Sequence, residues 1–294
     1  MRVHLVDGTY ELFRHFFGAP PHVNQAGREV SAVRGVLSSV LALMEEGATH
    51  VGVATDHVIE SFRNDMWPGY KTGSGVDPRL LSQFGLLEDA LAAMGVAVWP
   101  MVDLEADDAL ASAAAVAAGD PSISQVIICT PDKDLGQCVS DGRVVQLDRR
   151  KNMVIDEAGV WAKFGVGPAS IPDYLALVGD SADGFPGLAG WGAKSAATVL
   201  ARYEHLEAIP EAAGQWEVGV RNAGTLAATL KAHRDLALLF RDLATLRTEP
   251  RVIKDVEDLR WSRPVPGFRD LCDDVLESPQ LSVRAHRLAK ERAA

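Results

Sequence analysis

The segment Gln125–Leu135, QVIICTPDKDL, decides the prediction of the fold. Residues 126–128 form a β-branched run typical of a buried strand. Two carboxylates, Asp132 and Asp134, follow soon after that run ends. Acidic residues are expected at this position when an open parallel sheet presents a site at the carboxyl ends of its strands. The segment therefore predicts a parallel sheet with an acidic site at one edge.

Two other strand-like runs end in the same way. Arg2–Val6 stops at Asp7, and His50–Thr55 stops at Asp56. Apolar residues recur at helical spacing between the runs, and the same alternation predicts further elements. These are strands at Val96–Trp99 and Val144–Leu147 and helices starting near Val33, at Arg79–Met94 and at Glu105–Ala118. Strands alternating with helices at this pitch predict an α/β fold with a mostly parallel sheet.

The pattern changes after about Gly165, where strand signals fade and helices dominate. The predicted helices are Ile171–Val178, Ala193–Tyr203, Thr225–His233 and Asp235–Leu246. We therefore predict three parts: an α/β domain at residues 1–165, a helical region at 166–250, and a tail at 251–294 that packs on the core.

Composition restricts the possible class of protein. A chain of 294 residues with 47% hydrophobic content can bury a large core, and no apolar run approaches the roughly 20 residues of a membrane helix. The start MRVHLVDG lacks a cleavable signal, and the three cysteines have neither metal spacing nor an even number, so we expect a cytoplasmic protein. The net charge of −11 argues against a nucleic-acid binder, unless many carboxylates are gathered to hold metal ions.

Acidic clusters accompany the strand-end aspartates. They are Glu105 with Asp107 and Asp108 at a helix start, Asp132 with Asp134 after a strand, and Asp180 with Asp183 at a glycine-rich hinge. Each alone is more often a helix start or a turn than a ligand set, so the interpretation rests on their joint occurrence. Carboxylates without His or Cys suit Mg²⁺ or Mn²⁺, and this number suggests a pair of ions about 3.5–4 Å apart.

The glycine-rich hinge is a second signal. Gly187, Gly190 and Gly192 precede Lys194 and Ser195 at the start of a predicted helix. Glycines allow a phosphate to approach the backbone, and a helix N-terminus offers unpaired N–H groups and a positive dipole. The pattern favours sequence-independent binding to a nucleic-acid backbone, although an ordinary corner between two helices would look the same.

Basic and aromatic residues interleave before the second predicted domain. Arg63 and Lys71 are placed to hold phosphates, Tyr70 to stack on a terminal base, and Arg14 lies just after the first strand. A solvated loop with an anchored aromatic residue would give the same pattern.

Together these residues resemble the 5′–3′ exonuclease and flap endonuclease family, which includes the N-terminal nuclease domain of bacterial DNA polymerase I. The matching motifs keep the family's order and spacing over residues 1 to about 250. They are VDG at 6–8, Arg14, Asp56 with SFR at 61–63, YK at 70–71, EADD at 105–108, DKDL at 132–135, GDSAD at 179–183 and PGLAGWGAKSA at 186–196. The resemblance implies a Rossmann-like (PIN-like) core and a helix–three-turn–helix (helix-hairpin-helix) DNA-binding region.

The resemblance also implies residue roles. The two-metal ligand set comprises Asp7, Asp56, Glu105, Asp107, Asp108, Asp132, Asp134, Asp180 and Asp183. Arg14, Arg63 and Lys71 grip the scissile phosphate or the 5′ end, and the catalytic set is these three with Asp7, Asp56, Asp108 and Asp132. DNA contacts fall on Arg14, Arg63, Tyr70, Lys71, Gly187, Gly190, Gly192, Lys194 and Ser195. Residues 60–90 form an arch or clamp for a 5′ strand, and a monovalent cation is expected at the 187–192 turn.

The expected function is that of a free-standing, monomeric 5′–3′ exonuclease and flap endonuclease that hydrolyses phosphodiesters with two Mg²⁺ or Mn²⁺ ions. Its substrates would be DNA with a 5′ flap, nick or free 5′ end, and an RNA primer in an RNA/DNA hybrid, in replication or repair. The alternatives are a DNA-binding protein with weakened catalysis and a metal-dependent ribonuclease of the related fold.

Two of the departures from the family pattern lie beside the YK and GDSAD motifs. Ser74 replaces an arginine of the family's YK-x-x-Arg pattern, and Gly184 replaces the asparagine that usually follows GDSAD. Neither removes an expected metal ligand.

Overall fold

The computed structural model of the protein describes residues 1–249 and 251–293. Its strands are β1 (Arg2–Asp7), β2 (His50–Asp56), β3 (Ala97–Met101), β4 (Gln125–Cys129), β5 (Val144–Asp148) and β6 (Met153–Ile155). The five predicted strands are all present, within one or two residues of their predicted ends. Strand β6 was not predicted, because a three-residue strand carries too little pattern to stand out.

The helices follow the same chain order. They are α1 (Gly8–Gly18), α2 (Ser31–Glu45), α3 (Phe62–Met66), α4 (Pro78–Leu81), α5 (Gln83–Ala93), α6 (Ala106–Gly119), α7 (Glu157–Phe164), α8 (Ile171–Val178), α9 (Ala193–Tyr203), α10 (Ala223–Ala232), α11 (Arg234–Ala244), α12 (Phe268–Asp270) and α13 (Pro279–Ala293). The helix predicted at Arg79–Met94 is two helices, α4 and α5. Helices α3 and α7 were missed.

The chain forms two compact units. The first unit comprises residues 1–59, 73–130 and 248–294, and the second comprises residues 60–72 and 131–247. The expected arch at 60–90 is therefore divided between them.

Four parallel strands in the order β3-β2-β1-β4 form the sheet of the first unit. Leu5 of β1 faces Gly52 of β2 on one side and Ile128 of β4 on the other. Helix α6 packs on these strands, and its alanines are small enough to allow a close approach. The register brings the carboxyl ends of β1 and β2 to one edge of the sheet, where Asp7 pairs with Ala54 two residues before Asp56.

The C-terminal tail belongs to the first unit. Helix α13 packs on α2, and the Arg284 guanidinium lies 2.8 Å from the Glu45 carboxylate. Arg292 donates hydrogen bonds to the carbonyl oxygens of Met44 and Ala48 at 2.6 and 2.7 Å. These contacts hold the tail against α2 and the turn that follows it.

The second unit is mainly helical, with β5 and β6 as an antiparallel pair. Helix α8 packs on α9 and α11, and Phe185 stacks on Phe240 with ring centroids 5.5 Å apart. Trp67 from residues 60–72 meets Phe240 edge-on at 5.1 Å. This core fixes the turn that follows α8, which carries part of the candidate site.

In the described residues, no helix has the length and apolar character needed to cross a membrane.

Candidate active site

Asp7 stands at the end of β1 and caps α1. Its Oδ1 accepts a hydrogen bond from the Tyr10 backbone N–H at 2.8 Å, and its Oδ2 accepts one from the Thr130 hydroxyl at 3.0 Å. Only 5% of Asp7 is exposed. A carboxylate at a helix N-terminus is stabilised by the unpaired N–H groups there.

Asp56 connects three elements of the first unit. Its backbone N–H donates to the Thr9 hydroxyl at the start of α1 at 2.8 Å, and its Oδ1 accepts from the Ala106 N–H at the start of α6, also at 2.8 Å. The turn after β1, the end of β2 and the first turn of α6 therefore meet around this carboxylate.

Glu105 and Asp108 form a capping box at the start of α6. The Glu105 backbone N–H donates to Asp108 Oδ2 at 3.0 Å. Both side chains are buried, whereas Asp107 is half-buried. We call Asp7, Asp56, Glu105, Asp107 and Asp108 the first acidic group. Asp7, Asp56 and Asp108 accept hydrogen bonds from backbone N–H groups at helix starts, which gives these acidic residues a structural role as well.

Glu88 of α5 holds the residues on either side of Asp56. Its Oε1 accepts from the Thr55 hydroxyl and its Oε2 shares a hydrogen bond with His57 Nδ1, both at 2.7 Å. Glu88 was missed by the sequence analysis. The pattern gives no signal for it, because a single acid in a helix resembles a solvated surface residue.

The second unit carries a tighter acidic cluster. Asp134, Asp180 and Asp183 each offer a carboxylate oxygen, and these oxygens lie within 4.8 Å of one another. Asp132 is exposed, and its Oδ1 accepts from the Asp134 backbone N–H at 3.0 Å. We call these four residues the second acidic group. In the described part of the chain, residues 134, 180 and 183 form the one group of three potential ligands at this spacing.

The second acidic group fits a divalent cation. Asp134 is 6% exposed, and its Oδ1 is buried with no hydrogen-bond partner. A buried carboxylate oxygen without a partner destabilises the folded protein unless a cation binds to it. An all-oxygen set of this kind suits hard ions such as Mg²⁺, Mn²⁺ or Ca²⁺.

Two lysines contact this group. Lys133 Nζ lies 2.5 Å from Asp180 Oδ2, and Lys71 Nζ lies 3.2 Å from Asp183 Oδ1. Burial and then the nearby charges of Asp132 and Asp183 raise the pKa of Asp134 well above its usual range. Burial lowers the pKa of Lys133, but the neighbouring Asp134 and Asp180 outweigh it, and the net shift is upward. A role for Lys71 was predicted from the sequence, whereas a role for Lys133 was not.

The turn after α8 needs glycine where the family has asparagine. Gly184 has a φ of +82°, and a Cβ there would lie 2.0 Å from the Gly69 carbonyl oxygen. The Gly184 carbonyl accepts from the Trp67 indole at 3.1 Å, and the Asp183 carbonyl accepts from the Lys71 N–H at 3.0 Å. The close approach of these two segments places Lys71 beside Asp183 and explains the departure at Gly184.

Two of the predicted basic contacts have other partners in the structure. The Arg14 guanidinium lies 2.5 Å from Glu11 Oε2. Arg63 is 1% exposed and donates to the carbonyl oxygens of Leu243 at 2.8 Å and Thr245 at 3.1 Å. The roles of Arg14 and Arg63 as phosphate ligands stay predictions, since both guanidinium groups would have to leave these partners.

The prediction for Tyr70 needs correction. Stacking on a terminal base requires an exposed ring, but Tyr70 is 3% exposed and belongs to the core of the second unit. The sequence pattern could not distinguish an anchored aromatic residue from a stacking one.

The glycine-rich turn forms a groove at the start of α9. The groove has a volume of about 660 Å³ and is lined by residues that include Gly190, Gly192, Lys194, Ser195, Arg221 and Asn222. Lys194 is exposed, and the Ser195 hydroxyl donates to the Gly192 carbonyl at 3.0 Å, which orders the first turn. Gly187 has a φ of +69° and lies too close to Gly179 for a side chain. Arg221 and Asn222, at the start of α10, were not predicted.

The fold and the acidic groups can be compared with known proteins. Residues 2–165 match the family model described as 5′-3′ exonuclease, N-terminal resolvase-like domain. Residues 166–266 match the model described as 5′-3′ exonuclease, C-terminal SAM fold.

Curated relatives agree with these models. A 5′-3′ exonuclease of Aquifex aeolicus is 31% identical over 268 residues, which cover 89% of this chain and 87% of that protein. DNA polymerase I of Pseudomonas aeruginosa is 33% identical over 272 residues, which cover 88% of this chain but 29% of the polymerase. The chain thus spans less than a third of the length of that polymerase.

A solved structure supports the fold. A T5 5′-exonuclease is 17% identical, has a TM-score of 0.62, and covers 99% of this chain and 97% of its own. The predicted fold class, a Rossmann-like (PIN-like) α/β core with a mostly parallel sheet and a helical C-terminal region, is confirmed. This chain belongs to the 5′-3′ exonuclease family of nucleases.

Proposed function

We propose that the chain is a divalent-metal-dependent, structure-selective 5′ nuclease that acts on DNA with a 5′ flap, nick or free 5′ end. The observation that carries the proposal is the second acidic group, in which Asp134 keeps a buried, unpaired carboxylate oxygen within 4.8 Å of ligand atoms from Asp180 and Asp183. Family membership supports the reaction class, since the Aquifex relative is named a 5′-3′ exonuclease. The related T5 flap endonuclease was solved as a pseudo-enzyme-product complex with DNA and metal ions.

Each acidic group would hold one divalent ion. Asp7, Asp56, Glu105 and Asp108 would contribute the first ligand set, with Asp107 beside it. Asp132, Asp134, Asp180 and Asp183 would contribute the second. When bound, such a pair of ions activates a water and neutralises the charge that develops on the scissile phosphate.

The protein's own groups would position the ligands and the substrate. Thr130 and the first turn of α1 hold the Asp7 carboxylate, and the N-terminus of α6 holds Asp56. Lys71 stands beside Asp183 with 27% of its side chain exposed, and would contact a phosphate. The Gly190–Ser195 turn and Lys194 would bind the duplex backbone through the N-terminus of α9. The monovalent cation at 187–192 stays part of the proposal.

The direct test is cleavage of a labelled 5′-flap duplex with Mg²⁺, with Mn²⁺, and with EDTA. Cleavage should need a divalent ion and should fall by at least a hundredfold in Asp132→Ala and Asp134→Asn. Lys231→Met, which removes an exposed ion pair with Glu211, serves as the control and should cleave as the wild type does. Binding of the flap without turnover under any divalent ion would contradict the proposed activity.

The same assay addresses the finer parts of the proposal. Flaps of RNA and of DNA, compared side by side, test whether an RNA primer is also a substrate. A monomeric state and a cytoplasmic location remain predictions that sedimentation and cell fractionation can check.

A further inference from the structure

Lys133 occupies an unusual place in the second acidic group. It lies in sequence between Asp132 and Asp134, and its ammonium contacts Asp180 at 2.5 Å. The Asp180 side chain is 2% exposed, whereas that of Lys133 is 31% exposed. The carboxylate is therefore fixed in the protein, and the lysine has a route to solvent.

The contact is made at a carboxylate of the proposed metal cluster. Asp180 is one of the three residues whose ligand atoms lie within 4.8 Å of one another. A divalent ion bound to those atoms would lie within a few ångströms of the Lys133 ammonium. Like charges at about 4 Å repel strongly where solvent is partly excluded. The ion and the ammonium therefore compete for Asp180.

Lys71 also contacts the second acidic group, but in a different way from Lys133. It pairs with Asp183 at the longer distance of 3.2 Å, and its backbone is fixed by a hydrogen bond to the Asp183 carbonyl. The Lys133 backbone has helical angles immediately before the short 3₁₀ helix Asp134–Cys138. Its side chain can therefore withdraw without movement of the Asp134 backbone.

We propose that Lys133 is the internal counter-cation of the second acidic group. It pairs with Asp180 when no metal is bound, and it leaves Asp180 as a divalent ion enters. The ion pair thereby lowers the affinity of the group for metal and stabilises the metal-free protein. This inference rests on the proposed metal site, supported by the unpaired Asp134 oxygen, but its test does not depend on turnover.

The first experiment is calorimetric titration of the full chain with Ca²⁺ and with Mn²⁺. Lys133→Met keeps the length of the side chain and removes the charge. Because loss of one partly exposed ion pair is worth up to about 1 kcal/mol, the affinity of the second group should rise about fivefold. Lys133→Arg, which keeps the charge, should bind no more tightly than the wild type. Lys231→Met, the matched change at an ion pair outside the group, should leave the affinity unchanged.

The second-group binding step is identified by its loss in Asp134→Asn. If Asp134→Asn leaves the isotherm unchanged, the proposed metal site itself is wrong. If the step is present but Lys133→Met binds metal no more tightly than the wild type, the metal site stands and the role of Lys133 is overturned.

A second measurement uses only the wild-type protein, in case Lys133→Met does not fold. Acetylation of lysines by a soluble acylating reagent, read by mass spectrometry, reports how available each ammonium is. Modification of Lys133 should increase severalfold on addition of Ca²⁺, while Lys231 should not change. Equal modification of Lys133 with and without Ca²⁺ would show that the ammonium does not leave Asp180.

Discussion

Replacement of Arg63 by methionine distinguishes two roles for this residue. The family resemblance predicts a phosphate ligand, whereas the structure places the guanidinium at the C-terminal end of α11. There it is 1% exposed and donates to the carbonyl oxygens of Leu243 and Thr245. A cation at this end of a helix also interacts favourably with the negative end of the helix dipole. If the structural role dominates, Arg63→Met should destabilise the second unit.

The expected size follows from these contacts. Each hydrogen bond from a charged donor contributes about 1.5–3 kcal/mol, so two such bonds contribute about 3–6 kcal/mol. Methionine recovers about 1–2 kcal/mol by burying apolar surface in the same space. We therefore expect a loss of about 1–5 kcal/mol in the free energy of unfolding, whereas a typical surface substitution changes it by less than about 0.5 kcal/mol.

The assay is urea unfolding followed by circular dichroism, together with flap cleavage at a temperature where the variant is fully folded. Arg202→Met is the matched control, because Arg202 pairs with Glu217 on the surface with 51% of its side chain exposed. It should change stability by less than about 1 kcal/mol. A stable Arg63→Met protein that cleaves flaps at least a hundredfold more slowly would refute the structural role.

Three further predictions concern the turn and the acidic groups. Gly187→Ala should reduce the free energy of unfolding in urea by more than about 1 kcal/mol, because the residue has a φ of +69° and its Cβ would lie 2.3 Å from a backbone nitrogen. Gly214→Ala is the control, since a Cβ there would have no atom within 4 Å, and it should not reduce stability by this amount. Equal effects of the two substitutions would contradict the reasoning. Asp134→Asn removes a buried carboxyl group whose ionisation is disfavoured by burial and by neighbouring carboxylates, so it should raise the melting temperature in EDTA. It should also abolish the rise in melting temperature that Mn²⁺ causes in the wild type. A lower melting temperature than that of the wild type in EDTA would be inconsistent with this. Glu88→Ala should weaken Mn²⁺ binding by the first acidic group severalfold, because Glu88 holds the residues on either side of Asp56. An unchanged Mn²⁺ affinity in calorimetric titration would exclude that role.

The edge of the sheet could be predicted because its signals are local. A β-branched run, a change of polarity and an aspartate occur within a few residues of one another in β1 and β2. The first turn of α6 was found in the same way, because EADD followed by alanines marks a helix start in any context. Neighbouring strands and helix starts then come together because parallel sheets bring the carboxyl ends of their strands to one edge.

The environment of Arg63 and Tyr70 could not be predicted, because it depends on distant segments. Phe62, Arg63, Tyr70 and Lys71 have the composition of a nucleic-acid-binding loop. In the structure the same segment is anchored in the second unit, with Tyr70 in its core and Trp67 packed against that core. Only Lys71 remains beside the acidic cluster. Interleaved basic and aromatic residues occur both in nucleic-acid-binding loops and in anchored segments. Only packing against distant segments distinguishes the two.

Charge balance shows why Lys133 was overlooked and why it matters. In the sequence, Lys133 stands between Asp132 and Asp134 and would be expected only to balance the charge of these neighbours. A metal ion is then the only obvious counter-charge for the remaining acids. The structure instead directs the Lys133 ammonium to Asp180, which is distant in sequence, and brings Lys71 to Asp183. When all are ionised, the four carboxylates and two lysines leave two net negative charges, and withdrawal of Lys133 raises this to three. Release of Lys133 would then favour entry of the ion electrostatically, so metal binding and lysine release should occur together.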